Sequence, residues 1–435
     1  MSCKACSEDA LLRTSRNRVP FSRAKRFYSV EIRTAQQQGE ESNEEDLEPI
    51  CNSYNAAELA ALLGKFSSQK ALYDGRLLHI HLIKQSMDGH GMYGNRLIRL
   101  YGKCGCMHDA WSLFCRMDHR DSHTWRFMIG AYSASDDAFQ LFHQMVMESF
   151  LPMKVTVISI LSSCVGEKYL LEGKRIHAFV EGSNLQYDME VGNTIISMYS
   201  KCQCLSKALE FFYAMPLHNV VSFNTMMTSL VHHQMGQEAL DLFYKVNLFA
   251  ITPNDVTFIS ALSACGSILQ LLDGKSIHVC VRSSEFVDET VLQNALLNMY
   301  GKCGSLEEAK TLFWRMPRRE VATWNCMITS YMQHDQCEAA LQLFHQMQAI
   351  GTFPNNVTFA NILSVCVNTM SLSEGRRLHS RLTSASSCLD VVLGTALVNM
   401  YGKCGSFEDA SIVFGNIMSR DVILWNAMIE IYVKY

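Results

Sequence analysis

Four histidines recur at one place in a repeated pattern, each inside a GxxxHxxx segment: His79, His177, His278 and His379. A histidine series suggests a metal site, because neutral imidazole is a common zinc ligand. Successive members are separated by a structural period of about 100 residues. Along a repeat array they lie too far apart to share one ion. The pattern therefore predicts histidines in the core or at helix interfaces.

The recurrent cysteines also lie too far apart along the array to bind one metal ion. No other catalytic or ligand-binding motif in the sequence is complete. The 17 cysteines include two repeated series, one of Cys104, Cys202, Cys303 and Cys404 and one of Cys164, Cys265 and Cys366. We interpret them as packing residues in a reducing compartment. A segment ending Gly274-Lys275-Ser276 resembles a phosphate loop, but Leu269 stands where the motif needs glycine. We predict no catalytic residues, metal, cofactor or small-molecule substrate, and hence no enzyme.

The elements that carry these residues repeat with a long period. MYGKCGSLEEA, which begins at Met299, returns as LYGKCGCMHDA, MYSKCQCLSKA and MYGKCGSFEDA. Self-similarity at a fixed spacing is the signature of stacked supersecondary units. The sequence thus predicts a solenoid.

Each period divides into three helical hairpins that recur in a fixed order. The 31-residue form begins at Gly91, Met189, Thr290 and Val391; the WN form at Ser122, Val220, Val321 and Val422; and the VTF form at Ala56, Lys154, Asp255 and Asn356. Apolar residues at helical spacing fill both halves of each unit. The predicted fold is all-α, a right-handed α-α superhelix of 11 full repeats of 31–35 residues, with a truncated twelfth at 422–435.

Local signals predict where the helices of a unit begin and end. In the Thr290 unit, Gly304 marks the turn, Ser305 and Glu308 have the spacing of a capping box, and Pro317 stops the second helix. Ala110, Ala208, Ala309 and Ala410 take one place in the second helix, where a small side chain lets helices cross. The Ser122 unit is three residues short, so the sequence does not predict where its first helix ends and its second begins.

The first 55 residues do not belong to the array. Residues 1–28 hold seven basic residues and two acidic ones, which is typical of an organellar transit peptide. Arg26-Phe27-Tyr28-Ser29 resembles a mitochondrial processing site, and the predicted location is the mitochondrion, with the chloroplast as the alternative. Residues 29–55 include the acidic run GEESNEEDLE and are predicted to be a disordered linker.

The charge of the array argues against binding driven by phosphate. Residues 1–50 hold eight of the 38 basic and nine of the 42 acidic residues, so residues 51–435 hold 30 and 33. A strongly basic footprint is expected of many nucleic-acid binders. A near-neutral array suits a protein-interaction scaffold, which remains the alternative function.

The WNxMI, VTFxxxLSxC, GKxxHxxV and GNALxxMYxKCG motifs, with alternating 35-, 35- and 31-residue units, resemble the PLS class of plant pentatricopeptide repeat proteins. This resemblance covers 56–435. It implies an organellar protein that binds single-stranded RNA with about one base per repeat, in cytidine-to-uridine editing or other transcript processing. Editing members usually continue into extension (E) repeats and a DYW-type deaminase domain. This chain stops before either, so we expect it to be a fragment whose last helix exposes an apolar face.

The family reads bases with the fifth and last residues of a repeat. The resemblance implies the pairs Asn95–Asp121, Asn193–Asn219, Asn224–Asn254, Asn294–Glu320, Asn325–Asn355 and Thr395–Asp421, with Asn426 lacking a partner. The Ser122 unit offers Arg126 and Met153, which fit no known combination. The family's code reads Asn–Asp as uridine, Asn–Asn as a pyrimidine and Thr–Asp as guanosine. Helix capping is the alternative role for Asp121, Asn219 and Asp421.

Other parts of the prediction concern the RNA backbone and the partners. Lys103, Lys201, Lys302 and Lys403 are expected to contact phosphates. The predicted partner is single-stranded organellar RNA, with editing factors or a deaminase supplied in trans. No run of 18 apolar residues occurs, so no membrane-spanning helix is expected.

Overall fold

The computed structural model describes residues 56–117, 119–133, 135–385 and 390–434, and α-helices with short turns make up this part of the chain. The predicted transit peptide (1–28) and linker (29–55) lie outside the described residues. The helices fall into two compact units, the first ending at Gln186 and the second beginning at Tyr187, and each unit is described by itself. No helix in the described ranges is long and apolar enough to cross a membrane.

The first unit consists of four helical hairpins. Its helices are α1 (Ala56–Gln69), α2 (Leu72–Lys84), α3 (Gly91–Lys103), α4 (Met107–Arg116), α5 (Ser122–Ala131), α6 (Asp137–Met147), α7 (Lys154–Ser163) and α8 (Leu170–Glu181). A 3₁₀ turn, Glu167–Tyr169, precedes α8. Within the unit, the first helix of one hairpin packs on the first helix of the next, as α3 does on α5.

The second unit contains seven hairpins and one further helix. Its helices are α9 (Met189–Lys201), α10 (Leu205–Ala214), α11 (Val220–His232), α12 (Gly236–Val246), α13 (Asp255–Ile268), α14 (Leu271–Arg282), α15 (Thr290–Lys302), α16 (Leu306–Arg315), α17 (Val321–Gln333), α18 (Cys337–Ala349), α19 (Asn356–Asn368), α20 (Leu372–Ala385), α21 (Val391–Lys403), α22 (Phe407–Asn416) and α23 (Val422–Lys434). The first helix of every hairpin in both units begins at the residue where the sequence pattern begins a repeat.

The turn inside the 31-residue unit follows from its glycine. Gly304 has φ +75°, and the amides of Gly304 and Ser305 donate to the carbonyls of Gly301 and Tyr300 at 3.1 and 2.9 Å. This is a Schellman motif, which needs a left-handed residue after the helix. The predicted turn at Gly304 is confirmed.

The predicted capping box after this turn is wrong. The Ser305 side chain makes no cap bond to the backbone of α16, and its hydroxyl instead donates to the Glu308 carboxylate at 2.5 Å. Lys275 of the preceding hairpin donates to the same carboxylate at 2.8 Å. Hydrogen bonds from Lys275 and Ser305 lower the pKa of Glu308 to about 2. Because an ammonium competes for Glu308, the carboxylate serves the contact between hairpins rather than its own helix end.

The Ser122 unit absorbs its missing residues at the end of its first helix. Helix α5 has 10 residues, whereas the corresponding α11 and α17 have 13. The start of α5 is unaffected, because Asp121 caps it by accepting the Thr124 amide at 2.7 Å. The deletion therefore shortens the helix without moving its first turn, which carries the fifth residue.

The four recurrent histidines were predicted to lie in the core or at helix interfaces, and three of them make a contact between hairpins. His79 pairs through Nδ1 with the hydroxyl of Tyr101 at 2.7 Å, His278 with Tyr300 at 2.8 Å, and His379 with Tyr401 at 2.9 Å. Each tyrosine belongs to the next hairpin. Burial lowers the pKa of His278 and His379, which favours neutral imidazole in a contact between hairpins.

Two buried cysteines accept, at their backbone carbonyls, hydrogen bonds from half-buried cysteines of the next hairpin. The thiol of Cys303 donates to the carbonyl of Cys265 at 3.8 Å, and that of Cys404 to the carbonyl of Cys366 at 3.7 Å. Burial raises the pKa of Cys265 and Cys366 to about 12, so both remain protonated thiols. The prediction that they are packing residues is confirmed.

Candidate nucleic-acid interface

The fifth residue of each repeat lies one turn into the first helix of its hairpin. The first unit places Asn95 there in α3 and Arg126 in α5. The second unit repeats the position with Asn193, Asn224, Asn294, Asn325, Thr395 and Asn426. Asn193, Asn224 and Asn325 are 7–9 % exposed, and Asn426 in the last helix is exposed.

Four of these asparagines donate a hydrogen bond to the last residue of their own repeat. The donor is Nδ2 and the acceptor is a side-chain oxygen, at 3.3 Å for Asn95 and Asp121, 3.5 Å for Asn193 and Asn219, 2.9 Å for Asn224 and Asn254, and 3.2 Å for Asn325 and Asn355. Residues 26 or 30 positions apart in sequence are thus brought into contact. The structure joins the members of these four predicted pairs.

The acceptor oxygens also cap the following helices. Asn254 accepts the Thr257 amide at 3.1 Å, and Asn355 accepts the Thr358 amide at 3.0 Å, each with the reciprocal half of a capping box. Asp121 and Asn219 form the same box at α5 and α11. Capping and pairing with the fifth residue are therefore not exclusive, because one oxygen accepts both bonds.

The two repeat forms hold the fifth asparagine differently. In the WN form, Thr257 and Thr358 donate to Oδ1 of Asn224 and Asn325 at 2.7 Å, so this oxygen is satisfied inside the protein. In the 31-residue form, Oδ1 of Asn95, Asn193 and Asn294 is buried without a hydrogen-bond partner within the described residues. An unpaired buried acceptor is costly unless a ligand or water satisfies it.

The remaining predicted pairs are not joined in the same way within the described ranges. Glu320 makes no side-chain cap bond to α17 and shows no bond to Asn294. The Thr395 hydroxyl donates to the carbonyl of Val391 at 2.8 Å, while Asp421 accepts the Leu424 amide at 2.8 Å. Thr395 thus keeps an acceptor lone pair, and Asp421 acts as a cap.

Hydrogen bonds stabilise the charged carboxylate of Asp121, the cap of α5. Burial alone raises the pKa of Asp121, but hydrogen bonds from Thr124 and Asn95 outweigh it, and the net pKa lies below the usual value. Asp121 is therefore ionised at neutral pH and accepts bonds without donating.

A row of exposed apolar residues was missed in the sequence. It occupies the second position of the first helices, where side chains are 40–66 % exposed: Met92, Val155, Val221, Val256, Val291, Val357, Val392 and Ile423. Residues three apart in a helix share a face, so each lies beside the fifth residue of its own helix. For two members of this row, Val256 and Val357, the sequence signal is the valine that precedes Thr-Phe in the VTF form.

The four predicted phosphate-contacting lysines end the first helices of the 31-residue units. Lys103 ends α3, and Lys201, Lys302 and Lys403 end α9, α15 and α21; all four are exposed. A lysine in the last turn also interacts favourably with the helix dipole. Position and exposure are compatible with either role.

Replacement of Asn355 measures how much its side-chain amide contributes to the unfolding free energy. We expect Asn355→Ala to cost about 1–2 kcal/mol of unfolding free energy, because Thr358 loses its cap and Asn325 loses its acceptor. Asn355→Asp keeps a capping oxygen and is expected to stay within about 0.5 kcal/mol of the parent. Urea unfolding of both variants makes the comparison. Equal losses in both would show that the carbonyl oxygen of Asn355 is not the stabilising group.

The fold and the pair that recurs in four repeats define a helical-repeat protein. Comparison with protein families agrees with this class. The model described as PPR repeat matches residues 95–122, 193–220, 221–247, 294–321 and 395–422, and that described as PPR repeat family matches 319–368. These segments of the chain therefore match pentatricopeptide repeats.

Curated relatives from Arabidopsis thaliana carry the same repeats. A chloroplastic pentatricopeptide repeat-containing protein is 30% identical over 371 residues, which are 84% of this chain and 60% of the relative. A mitochondrial one is 30% identical over 394 residues, 85% of this chain and 43% of the relative. The chain spans about half the length of the curated relatives it matches. It has homologues among proteins of both organelles.

A solved structure shows the same fold. The pentatricopeptide repeat protein PPR10 of maize, in complex with an 18-nucleotide psaJ RNA element, superposes with a TM-score of 0.64 over 90% of this chain and 63% of that chain, at 16% identity. The predicted all-helical repeat fold is confirmed.

Proposed function

We propose that the protein binds single-stranded RNA through the first helices of its hairpins, with one base facing each repeat. The observation that carries the proposal is the repeated hydrogen bond from a fifth-position asparagine to the last residue of its repeat. It fixes the Nδ2 edge of the amide at Asn95, Asn193, Asn224 and Asn325, although Oδ1 is bonded in only one of the two repeat forms. One oriented polar group per helical repeat is what base-by-base reading requires.

The surroundings of this amide suit a nucleobase. One Nδ2 hydrogen is engaged by the cap, which leaves the second hydrogen for a ligand. In the 31-residue units Oδ1 is also unengaged within the described chain. The exposed valines at the second position offer apolar contact to base faces. Unstacked bases in single strands present both such faces and hydrogen-bonding edges.

The homologues support an organellar role. Relatives are named as chloroplastic and as mitochondrial, and the related PPR10 structure contains RNA. We place this protein in the mitochondrion, with the chloroplast as the alternative, as a PLS-class repeat protein. Its task is selection of cytidine-to-uridine editing sites or other transcript processing. Any deaminase would be supplied by a further domain or in trans, and we assign no reaction to the residues of the repeats.

The test is binding to a designed strand. Counted from the Gly91 unit, the code gives U, two unread nucleotides, two pyrimidines, one unread, two pyrimidines, one unread and G, from the 5′ to the 3′ end. We expect this decamer to bind more tightly than one with adenine at every read position, and its duplex to bind least because pairing hides the base edges. Equal affinity for the strand and its duplex would contradict base reading.

The excess of acidic over basic residues in the second unit favours a second candidate function, a protein-interaction scaffold. Residues 187–435 hold 16 basic and 21 acidic residues, which suits a scaffold that binds proteins. No measurable binding to either decamer would favour this candidate over RNA recognition.

A further inference from the structure

The first unit carries three cations on the face that holds Asn95. In α3, Arg99 follows Asn95 by four residues and Lys103 follows it by eight. Asn95, Arg99 and Lys103 therefore lie along about two turns of one helix. Arg126 occupies the fifth position of α5, where most other repeats carry asparagine. Arg99 and Lys103 are exposed, and Arg126 is half-buried.

Both arginines converge on one aromatic ring. The guanidinium carbon of Arg126 lies 4.4 Å from the centroid of Phe127, and that of Arg99 lies 5.9 Å from it. The two guanidinium carbons are therefore at most about 10 Å apart. A shared ring holds two like charges near each other through cation–π attraction, although they repel.

Carboxylates within the described ranges do not pair with these charges. In the described part of the chain, Arg99, Lys103 and Arg126 form no ion pair, whereas Arg76 and Arg116 are paired with Asp109 and Asp88 at 2.9 and 2.8 Å. Nε of Arg126 is buried without a hydrogen-bond partner. A buried donor of a charged group without a partner costs free energy.

The balance of charge differs between the units as well. Residues 56–186 hold 14 basic and 12 acidic residues, against 16 and 21 in residues 187–435. The acidic residue nearest to this surface in sequence is Asp121, whose carboxylate is engaged by Thr124 and Asn95. The near-neutral array thus contains a local cationic surface formed by Arg99, Lys103 and Arg126, which we call the arginine patch.

We propose that the arginine patch binds backbone phosphates of the RNA and that Arg126 reads no base. The inference rests on the proposed function and adds a sequence-independent anchor at the first unit. A phosphodiester fits two unpaired guanidinium groups better than a base edge does, since it supplies anionic oxygens to several N–H donors at once. Cation–π contact with Phe127 holds the guanidinium groups in place, so less side-chain freedom is lost on binding.

The salt dependence of RNA binding tests the anchor. The probe is the designed decamer, titrated between 50 and 300 mM KCl with the parent chain, Arg99→Gln/Arg126→Gln and Arg318→Gln. Arg318 is an exposed arginine between α16 and α17, and Arg318→Gln is the control for loss of one exposed positive charge. Each phosphate contact to a single strand contributes about 0.7 to the slope of log K against log salt. We expect the double variant to lose about 1.4 in slope and Arg318→Gln to lose almost none.

Base dependence and charge rescue separate a phosphate anchor from a base reader. Four decamers are compared that differ only in the base opposite the Ser122 unit. We expect Arg126→Gln to bind all four more weakly than the parent chain does, by the same factor. Arg126→Lys should keep the parent slope, since a point charge still neutralises a phosphate. Loss confined to one base, or a slope unchanged in the double variant, would overturn the anchor while RNA binding itself persisted. Absence of binding by the parent chain would instead refute the proposed function.

Discussion

Replacement of Ala309 by aspartate is expected to lower the unfolding free energy by at least about 3 kcal/mol. Ala309 is 0 % exposed in α16, at the place that Ala110, Ala208 and Ala410 take in the other 31-residue units, all of them 0 % exposed. An aspartate carboxylate at a position with 0 % exposure would be removed from water. A buried unpaired charge is among the few changes with so large an effect.

Urea unfolding followed by circular dichroism measures this loss. Ala322→Asp is the matched control, because Ala322 is exposed in the first turn of α17, where a negative charge is favourable. We expect the control to unfold at the parent midpoint or slightly above it. An unchanged midpoint for Ala309→Asp would show that α16 does not depend on close packing at this position.

Replacement of Thr395 by asparagine is expected to change the preferred base opposite the Val391 unit from guanosine to uridine. Asp421 already caps α23 through the Leu424 amide, as Asp121 caps α5 through Thr124. An asparagine at 395 can therefore reproduce the 3.3 Å bond that Asn95 makes to Asp121. The change also releases the Thr395 hydroxyl from the carbonyl of Val391. The expected discrimination is about 1–3 kcal/mol.

Competition gel shifts with G or U at that one nucleotide test the change. Thr311→Asn is the control, because Thr311 lies exposed on the second helix α16 and bonds only the carbonyl of Glu307. The control should retain the preference for guanosine. If Thr395→Asn still prefers guanosine, position 395 does not read a base, and the register of all the proposed pairs is wrong.

The helices and their order could be predicted from the sequence. Twelve helices begin at the residues where the three repeat forms begin. This was possible because apolar spacing, caps and the left-handed residue of a Schellman turn act within one unit of about 35 residues. The first turn of each helix, and with it the fifth residue, is therefore placed by local information alone.

Which side chains contact one another depends on how the hairpins pack. Ser305 and Glu308 have capping-box spacing, but Lys275 of the preceding hairpin and Ser305 both bond the Glu308 carboxylate. Arg99 and Arg126, 27 residues apart, converge on Phe127 because α3 and α5 pack side by side. Spacing in one helix predicts neighbours on that helix, whereas contacts between hairpins depend on how their surfaces pack. The pairing of the asparagines and the position of the arginine patch are for this reason properties of the packed structure.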